Sequence, residues 1–183
     1  MPLTKIKSLG ITDGTILGTD VNSTFDLTGK TVTLPAGTGG KVLQVVQGST
    51  STNTVTTNTT TTDTTLTANI TPSSTSNKIL VLVSQSYLTK GSDSVGSGSI
   101  FLVRGSTTIG NTGEYPIWGV AYVSGSARTV EVGTNFNITY LDSPSSTSSL
   151  TYKTRQRLRD GTHFETQRDG NALSTITLIE IAG

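Results

Sequence analysis

The sequence contains no cysteine and a single histidine, and only 14% of its 183 residues are charged. Without cysteine the chain can form neither a disulfide framework nor a thiolate metal site. The formal net charge of +1 provides no strong field that would attract nucleic acid. We therefore expect no cofactor, no bound metal and no nucleic-acid partner.

Helix-forming residues and long apolar runs are also scarce. Thr, Ser and Gly dominate the polar part of the sequence, and these residues favour strands and turns rather than helices. The longest apolar runs fall far short of the roughly 20 residues that span a membrane. The N-terminus, Met-Pro-Leu-Thr-Lys-Ile-Lys, has no apolar segment typical of a secretion signal. The sequence predicts an all-β protein with no membrane partner.

The stretch Asn77–Leu88 is the centre of the predicted fold. It contains the continuous apolar run Ile79–Val83, which is rich in β-branched residues and lies between two Ser-rich loops. Such a run is typical of a strand that is covered on both faces. Because the chain has no predicted helices, this cover implies a second sheet. With eight to ten predicted strands, the sequence indicates an antiparallel β-sandwich of jelly-roll type.

The chain divides into two parts of different character. Residues 1–40 are predicted to form an extended N-terminal attachment arm, because their apolar residues are irregularly spaced and interrupted by glycines. Residues 41–183 are predicted to form the β-sandwich lobe. The apolar side chains of the arm require another surface to cover them, so they are candidate anchor residues: Leu3, Ile6, Leu9, Ile11, Ile16 and Leu17.

A threonine-rich tract, Gly48–Ser76, follows the first predicted strand of the lobe. It contains 14 threonines in 29 residues, which favours an extended polar surface over disorder. The tract is predicted to contain an exposed edge strand. Its occasional core contacts are predicted at Val55, Leu66 and Ile70.

The last third of the sequence is predicted to form a three-stranded meander. Its turns are Asp160-Gly161 and Asp169-Gly170, and Asp-Gly is a preferred sequence for tight hairpins. Counting back from the first turn pairs Arg157 with Phe164. The final strand, Ile176–Ile181, is apolar enough to lie in the centre of a sheet.

Four basic residues of the meander form a candidate interface, which we call the basic stripe: Lys153, Arg155, Arg157 and Arg159. Their spacing of two places them on one face of one strand. The stripe is interpreted either as a solvated surface or as a contact with an anionic partner or a carboxylate of a neighbouring subunit. A cation–π contact between Arg157 and Phe164 is a further alternative.

No catalytic pattern emerges from the sequence. A Ser-His-Asp site requires a carboxylate that holds the histidine in place. His163 lies next to a predicted turn and lacks such an arrangement, which favours a surface or interface role. The acidic residues are scattered singly through predicted turns, such as Asp142 and Asp160, and do not form the carboxylate pair of a glycosidase. We therefore expect no enzyme activity.

Three segments carry a resemblance to a known group: Lys41–Gln47, Ile70–Val81 and Ser174–Ile181. Together with the leader sequence Phe25–Pro35, they resemble small tail-fibre-like or capsid-decoration virion proteins of tailed bacteriophages of aquatic bacteria. The resemblance implies trimers of jelly-roll lobes similar to tumour-necrosis-factor-like domains. It carries over no functional residue, and a fold alone does not determine function.

The sequence and the resemblance together predict a non-enzymatic virion structural protein, made in the host cytoplasm and located on the surface of the phage particle. Its expected partners are two further copies in a homotrimer and other virion proteins of the capsid shell or the tail. Capsid decoration is favoured, since no repeats or heptads indicate a fibre shaft. A short tail fibre or receptor-binding tip, contacting a host surface glycan, is the alternative, and a polysaccharide-degrading enzyme is a minor one.

Overall fold

The computed structural model describes residues 41–92, 95–110, 118–122 and 129–183. The predicted attachment arm and its candidate anchor residues lie outside this part of the chain. The described residues form eleven strands and one short 3-10 helix, which confirms the all-β prediction. The strands are β1 (Val42–Thr50), β2 (Thr54–Thr56), β3 (Thr62–Ile70), β4 (Lys78–Ser92), β5 (Val95–Arg104), β6 (Thr107–Ile109), β7 (Trp118–Tyr122), β8 (Thr129–Asp142), β9 (Leu150–Asp160), β10 (His163–Thr166) and β11 (Ser174–Ile181), and the 3-10 helix is Arg168–Gly170.

The first sheet is built around the long strand β4. Strand β8 pairs with nearly the whole of β4 along one side. Strands β11 and β10 share its other side, where β11 pairs with the first half of β4 and β10 with the second half. Strand β1 extends the sheet beyond β11, and β2 extends it beyond β10. All these pairs are antiparallel.

The second sheet is built around β9 and β5, which pair with each other. Strand β3 pairs with the other side of β9. The other side of β5 is shared by β7 and β6, again with antiparallel pairing. The candidate basic stripe therefore lies on a central strand of this sheet, with a neighbouring strand on each side.

The two sheets pack against each other around a common core. The larger core cluster combines Ile79, Val81 and Leu178 of the first sheet with Leu66 and Tyr152 of the second, all of them fully buried. A smaller cluster surrounds the ring of Phe164. Since side chains from both sheets meet in one core, the architecture is that of an antiparallel β-sandwich.

The predicted central strand forms as expected, but only one of its two faces is covered. Ile79, Val81 and Val83 point into the core and are buried. On the opposite face, Leu80 is half-buried and Leu82 is 36% exposed. The prediction of cover on both faces is therefore wrong for a single chain, because the second sheet contacts only the inner face of β4.

The predicted meander is also wrong. The turn at Asp160-Gly161 does not join neighbouring strands of one sheet: β9 belongs to the second sheet and β10 to the first. As a result, Arg157 pairs with Ser99 of β5 rather than with Phe164. The second Asp-Gly pair belongs to a segment that contains the 3-10 helix Arg168–Gly170, and no hairpin forms there.

The threonine-rich tract provides two strands, β2 and β3. Leu66 and Ile70 are buried in the core, which confirms two of the three predicted contacts. Val55 is 52% exposed, so the third is wrong. The final strand β11 lies between β1 and β4, in agreement with its predicted central place.

Candidate functional site

The four residues of the basic stripe lie on the face of β9 that points away from the core. Along β9 they alternate with the buried residues Tyr152, Thr154, Gln156 and Leu158, and each of the four is partly exposed. The strand period of two thus places them on one surface, as predicted.

Two cations of the stripe share one carboxylate of the same chain. Lys153 Nζ lies 2.5 Å from Asp63 Oδ2, and Arg155 Nε lies 2.8 Å from Asp63 Oδ1. Arg155 also donates a hydrogen bond to the carbonyl oxygen of Thr61. Asp63 is 48% exposed, so each ion pair contributes little, on the order of 0.2–1 kcal/mol.

The other two cations have different neighbours. The guanidinium carbon of Arg157 lies 5.4 Å from the ring centroid of Phe101, a cation–π contact across the strand pair β5 and β9. Arg159 Nε lies 3.4 Å from Asp160 Oδ2. Both contacts are local, and the predicted contact between Arg157 and Phe164 is replaced by the one with Phe101.

A surface recess lies beside this end of the stripe. It has a volume of about 310 Å³ and is lined by Thr59, Leu158, Asp160 and the two arginines Arg157 and Arg159. Two guanidinium groups and a hydroxyl group are suited to contact a carboxylate or another anion. Asp160 reduces the net positive charge of the recess. Because its carboxylate can accept hydrogen bonds, the recess also suits hydroxyl groups of a partner.

His163 lies on β10 opposite Lys90 of β4. Strand β10 pairs with β4 and β2 rather than with β9, so the turn before His163 does not close a hairpin. Among the described residues, no three His, Asp or Glu side chains are grouped closely enough to hold a metal ion.

An ionic cluster that the sequence analysis missed links the two sheets. Asp142, at the end of β8, is 5% exposed. Its Oδ2 atom lies 2.5 Å from Arg104 Nη1 and accepts a hydrogen bond of 2.6 Å from the hydroxyl of Tyr152. Burial and the adjacent carboxylate raise the pKa of Tyr152 well above its ordinary value. The cluster joins β8 of the first sheet to β5 and β9 of the second sheet.

A second buried carboxylate, Glu180 on β11, is also held by hydrogen bonds. Gln44 Nε2 donates to its Oε2 atom at 2.5 Å. The Ser73 amide and hydroxyl and Asn77 Nδ2 donate to Oε1 at 2.7, 2.8 and 2.6 Å. Burial alone would raise the pKa of Glu180, but these donors outweigh it and lower the pKa to about 2.

Polar residues separate the two core clusters. Gln85, Thr154 and Gln156 are completely buried, and Gln85 donates a hydrogen bond to Thr64, whose hydroxyl lies 2.6 Å from that of Thr154. This layer reduces the apolar area inside the lobe. The stability of the lobe therefore depends on these hydrogen bonds as well as on apolar packing, and Gln85 Oε1 and Gln156 Oε1 have no hydrogen-bond partner among the described residues.

Comparison of the sequence with models of protein families and with curated proteins finds no match to either. In the described part of the chain, no helix has the length and apolar character needed to cross a membrane.

Proposed function

We propose that this protein is a non-enzymatic structural component of a bacteriophage particle, a trimeric knob that is fixed to the particle by residues 1–40 and decorates the capsid. The observation that carries the proposal is the position of the two ends of the lobe. The Ala182 amide donates a 2.7 Å hydrogen bond to the carbonyl oxygen of Lys41. The chain therefore enters the lobe beside its last strand, and attachment through the preceding residues leaves the rest of the lobe free to project.

The strand order supports a jelly roll. For comparison with a jelly roll, we number eight of the strands from one to eight in chain order: β1, β3, β4, β5, β7, β8, β9 and β11. In this numbering the first sheet has the order one, eight, three, six. The second sheet then has the order two, seven, four, five. Two interleaved Greek keys produce such an order, in which every connection crosses between the sheets except the one from strand four to strand five.

A short tail fibre or receptor-binding tip is the second candidate. The recess between Arg157 and Arg159 favours it, since an acidic group of a host surface glycan suits two guanidinium groups. A polysaccharide-degrading enzyme has less support. The buried carboxylates Asp142 and Glu180 are both held inside the lobe by hydrogen bonds, rather than facing each other across a cleft.

Electron microscopy of purified particles of the virus that encodes this chain tests the proposal. Gold-labelled antibody against the lobe should mark the capsid shell at many sites. Label confined to the tail would instead establish the fibre or receptor-binding role. Particles that carry no label, although the protein is made during infection, would contradict both.

A further inference from the structure

The face of the first sheet that points away from the core carries an apolar row across four adjacent strands. Val45 of β1 pairs with Ile179 of β11. Ile179 pairs with Leu80 of β4, and Leu80 pairs with Leu141 of β8. Directly paired residues of antiparallel strands lie on the same side of a sheet. The four side chains therefore form one continuous band, which we call the outer apolar row.

This row is open to solvent in the single chain. Val45 is 59% exposed and Leu141 is 48% exposed at its two ends, while Leu80 and Ile179 in the middle are half-buried. Val42 and Leu82, on either side of the row, add further exposed apolar surface. Scattered exposed apolar residues are ordinary, but a continuous band across a sheet marks an interaction surface.

The residues around the row are almost all neutral. Two residues further along the strands, the same face carries Gln47, Thr177, Leu82 and Thr139. Two residues beyond these, it carries Ser49, Thr175, Ser84 and Asn137. All residues of this part of the face belong to the described chain, and Lys78 at its edge is the one charged residue. A nucleic acid or an acidic glycan would find almost no cation here. The same face of three copies can converge on a threefold axis without opposing like charges.

We propose that the outer apolar row is the surface through which copies of this chain associate with each other. The proposal rests on the homotrimer of the proposed function and specifies which surface forms it. It also accounts for the apolar run Ile79–Val83, whose two faces both require cover. The second sheet covers the inner face, and another copy of the chain covers the outer one.

The size of the face fits a reversible interface. Four strands about 4.8 Å apart and seven residues long, at about 3.3 Å each, form a flat face of roughly 19 by 23 Å. Three such faces that converge on a threefold axis bury on the order of 1,300 Å² per trimer, or about 440 Å² for each pair of copies, before the corrugation of the side chains is counted. This is less than the roughly 1,200 Å² that a specific interface between two proteins buries. We therefore expect association that depends on protein concentration.

Light scattering during size-exclusion chromatography of the complete chain tests this inference. The test variant is Val45→Lys with Leu141→Lys, which places two charges at the exposed ends of the row. The control variant is Val55→Lys with Leu173→Lys, which changes two equally exposed apolar residues outside the row, at 52% and 66% exposure. Both variants add the same charge, and all four side chains lie on the surface of the lobe, so the fold should persist in both.

The wild-type chain and the control should have a mass that is a multiple of 19.1 kDa, and the test variant should have the mass of one copy with an unchanged circular dichroism spectrum. We expect the association to weaken on the order of 100-fold in the test variant. A wild-type chain that stays monomeric at 100 µM (a concentration of roughly 2 mg/ml) would overturn the inference. So would a test variant that associates like wild type, or a control that dissociates equally. Since no particles are used, the location of the protein on the virus remains a separate test.

Discussion

Gly98 shows how closely a single backbone position packs against the core. A Cβ atom at this position would lie 2.1 Å from Cδ2 of Phe164, whose ring stacks on Tyr87 with 5.4 Å between the centroids. Phe164 is 1% exposed, so its ring is surrounded by other core side chains. The glycine is therefore required for close approach of the two sheets in the smaller core cluster.

We expect Gly98→Ala to reduce the free energy of unfolding by about 1–3 kcal/mol through overpacking. Urea unfolding at matched protein concentration measures the change. Gly105→Asn is the control, because no atom lies within 4 Å of a Cβ there and Asn tolerates its φ of +60°. An alanine variant as stable as wild type would show that Phe164 can move aside.

Glu180 should make the stability of the lobe depend on pH. Its pKa is lowered from 4.5 to about 2 in the folded chain. The contribution of its carboxylate to stability is therefore fully present above pH 4.5. It is lost as the pH falls from about 4.5 towards 2, because the unfolded chain takes up the proton first.

Urea unfolding of wild type and Glu180→Gln between pH 7 and pH 2.5 measures this contribution. At pH 7 the variant should be less stable by about 2–3 kcal/mol, since an amide cannot accept all the hydrogen bonds from Gln44, Ser73 and Asn77. The difference should shrink on acidification. A difference that stays constant across this pH range would mean that the carboxylate does not titrate as described.

At the scale of the element, strand β9 carries the basic stripe as one row of partly exposed cations. Asp63 is shared by Lys153 and Arg155, and Asp160 lies beside Arg159. Arg157 lies over the ring of Phe101. This surface is suited to an anionic partner, and the attraction should be screened by salt.

We expect Arg155→Gln with Arg157→Gln to change the stability of the lobe by no more than about 1–2 kcal/mol, because the lost contacts are exposed. Binding to particles should fall at low salt, and the loss should diminish at high salt. A co-sedimentation assay with particles that lack the protein measures both. Asp63→Asn, which removes the carboxylate but keeps every cation, should not weaken binding. Equal binding of the double variant and wild type at low salt would identify the stripe as a solvated face.

The positions of the strands were easier to predict from the sequence than which strands pair with each other. The apolar alternation of Ile176–Ile181 and the run Ile79–Val83 indicate buried strands, and both pack as neighbours in the first sheet. The sequence Asp160-Gly161 correctly indicates a turn, but a turn signal carries no information about which sheet receives the next strand. The meander prediction failed for this reason, and with it the register between Arg157 and Phe164.

The two buried carboxylates could not be predicted because their partners are distant in sequence. Asp142 contacts Arg104, 38 residues away, and Glu180 contacts Asn77, 103 residues away. No local pattern distinguishes either acid from one in an ordinary turn. The basic stripe was predictable because its four residues lie on a single strand, where the period of two determines their common face.

At the scale of the whole molecule, we propose that the β-sandwich lobe is fixed to the particle by residues 1–40 and that its outer sheet face joins copies of the chain. The lobe has its own core and its own hydrogen bonds at the point where the chain enters, between Lys41 and Ala182. Removal of residues in the arm should therefore leave the lobe folded. The anchoring role of the arm and the folding of the lobe can be measured separately.

The occupancy of particles by a chain that lacks residues 1–28 shows whether the arm anchors the protein. Particles assembled with this variant should contain little or none of the protein, while the purified variant keeps the circular dichroism spectrum and the mass of the wild-type assembly. Quantitative mass spectrometry of purified particles, normalised to the major capsid protein, gives the occupancy. We expect a loss of at least about tenfold, which corresponds to about 1.4 kcal/mol or more of binding free energy. Incorporation of the truncated chain at wild-type occupancy would contradict the claim that the arm is the anchor.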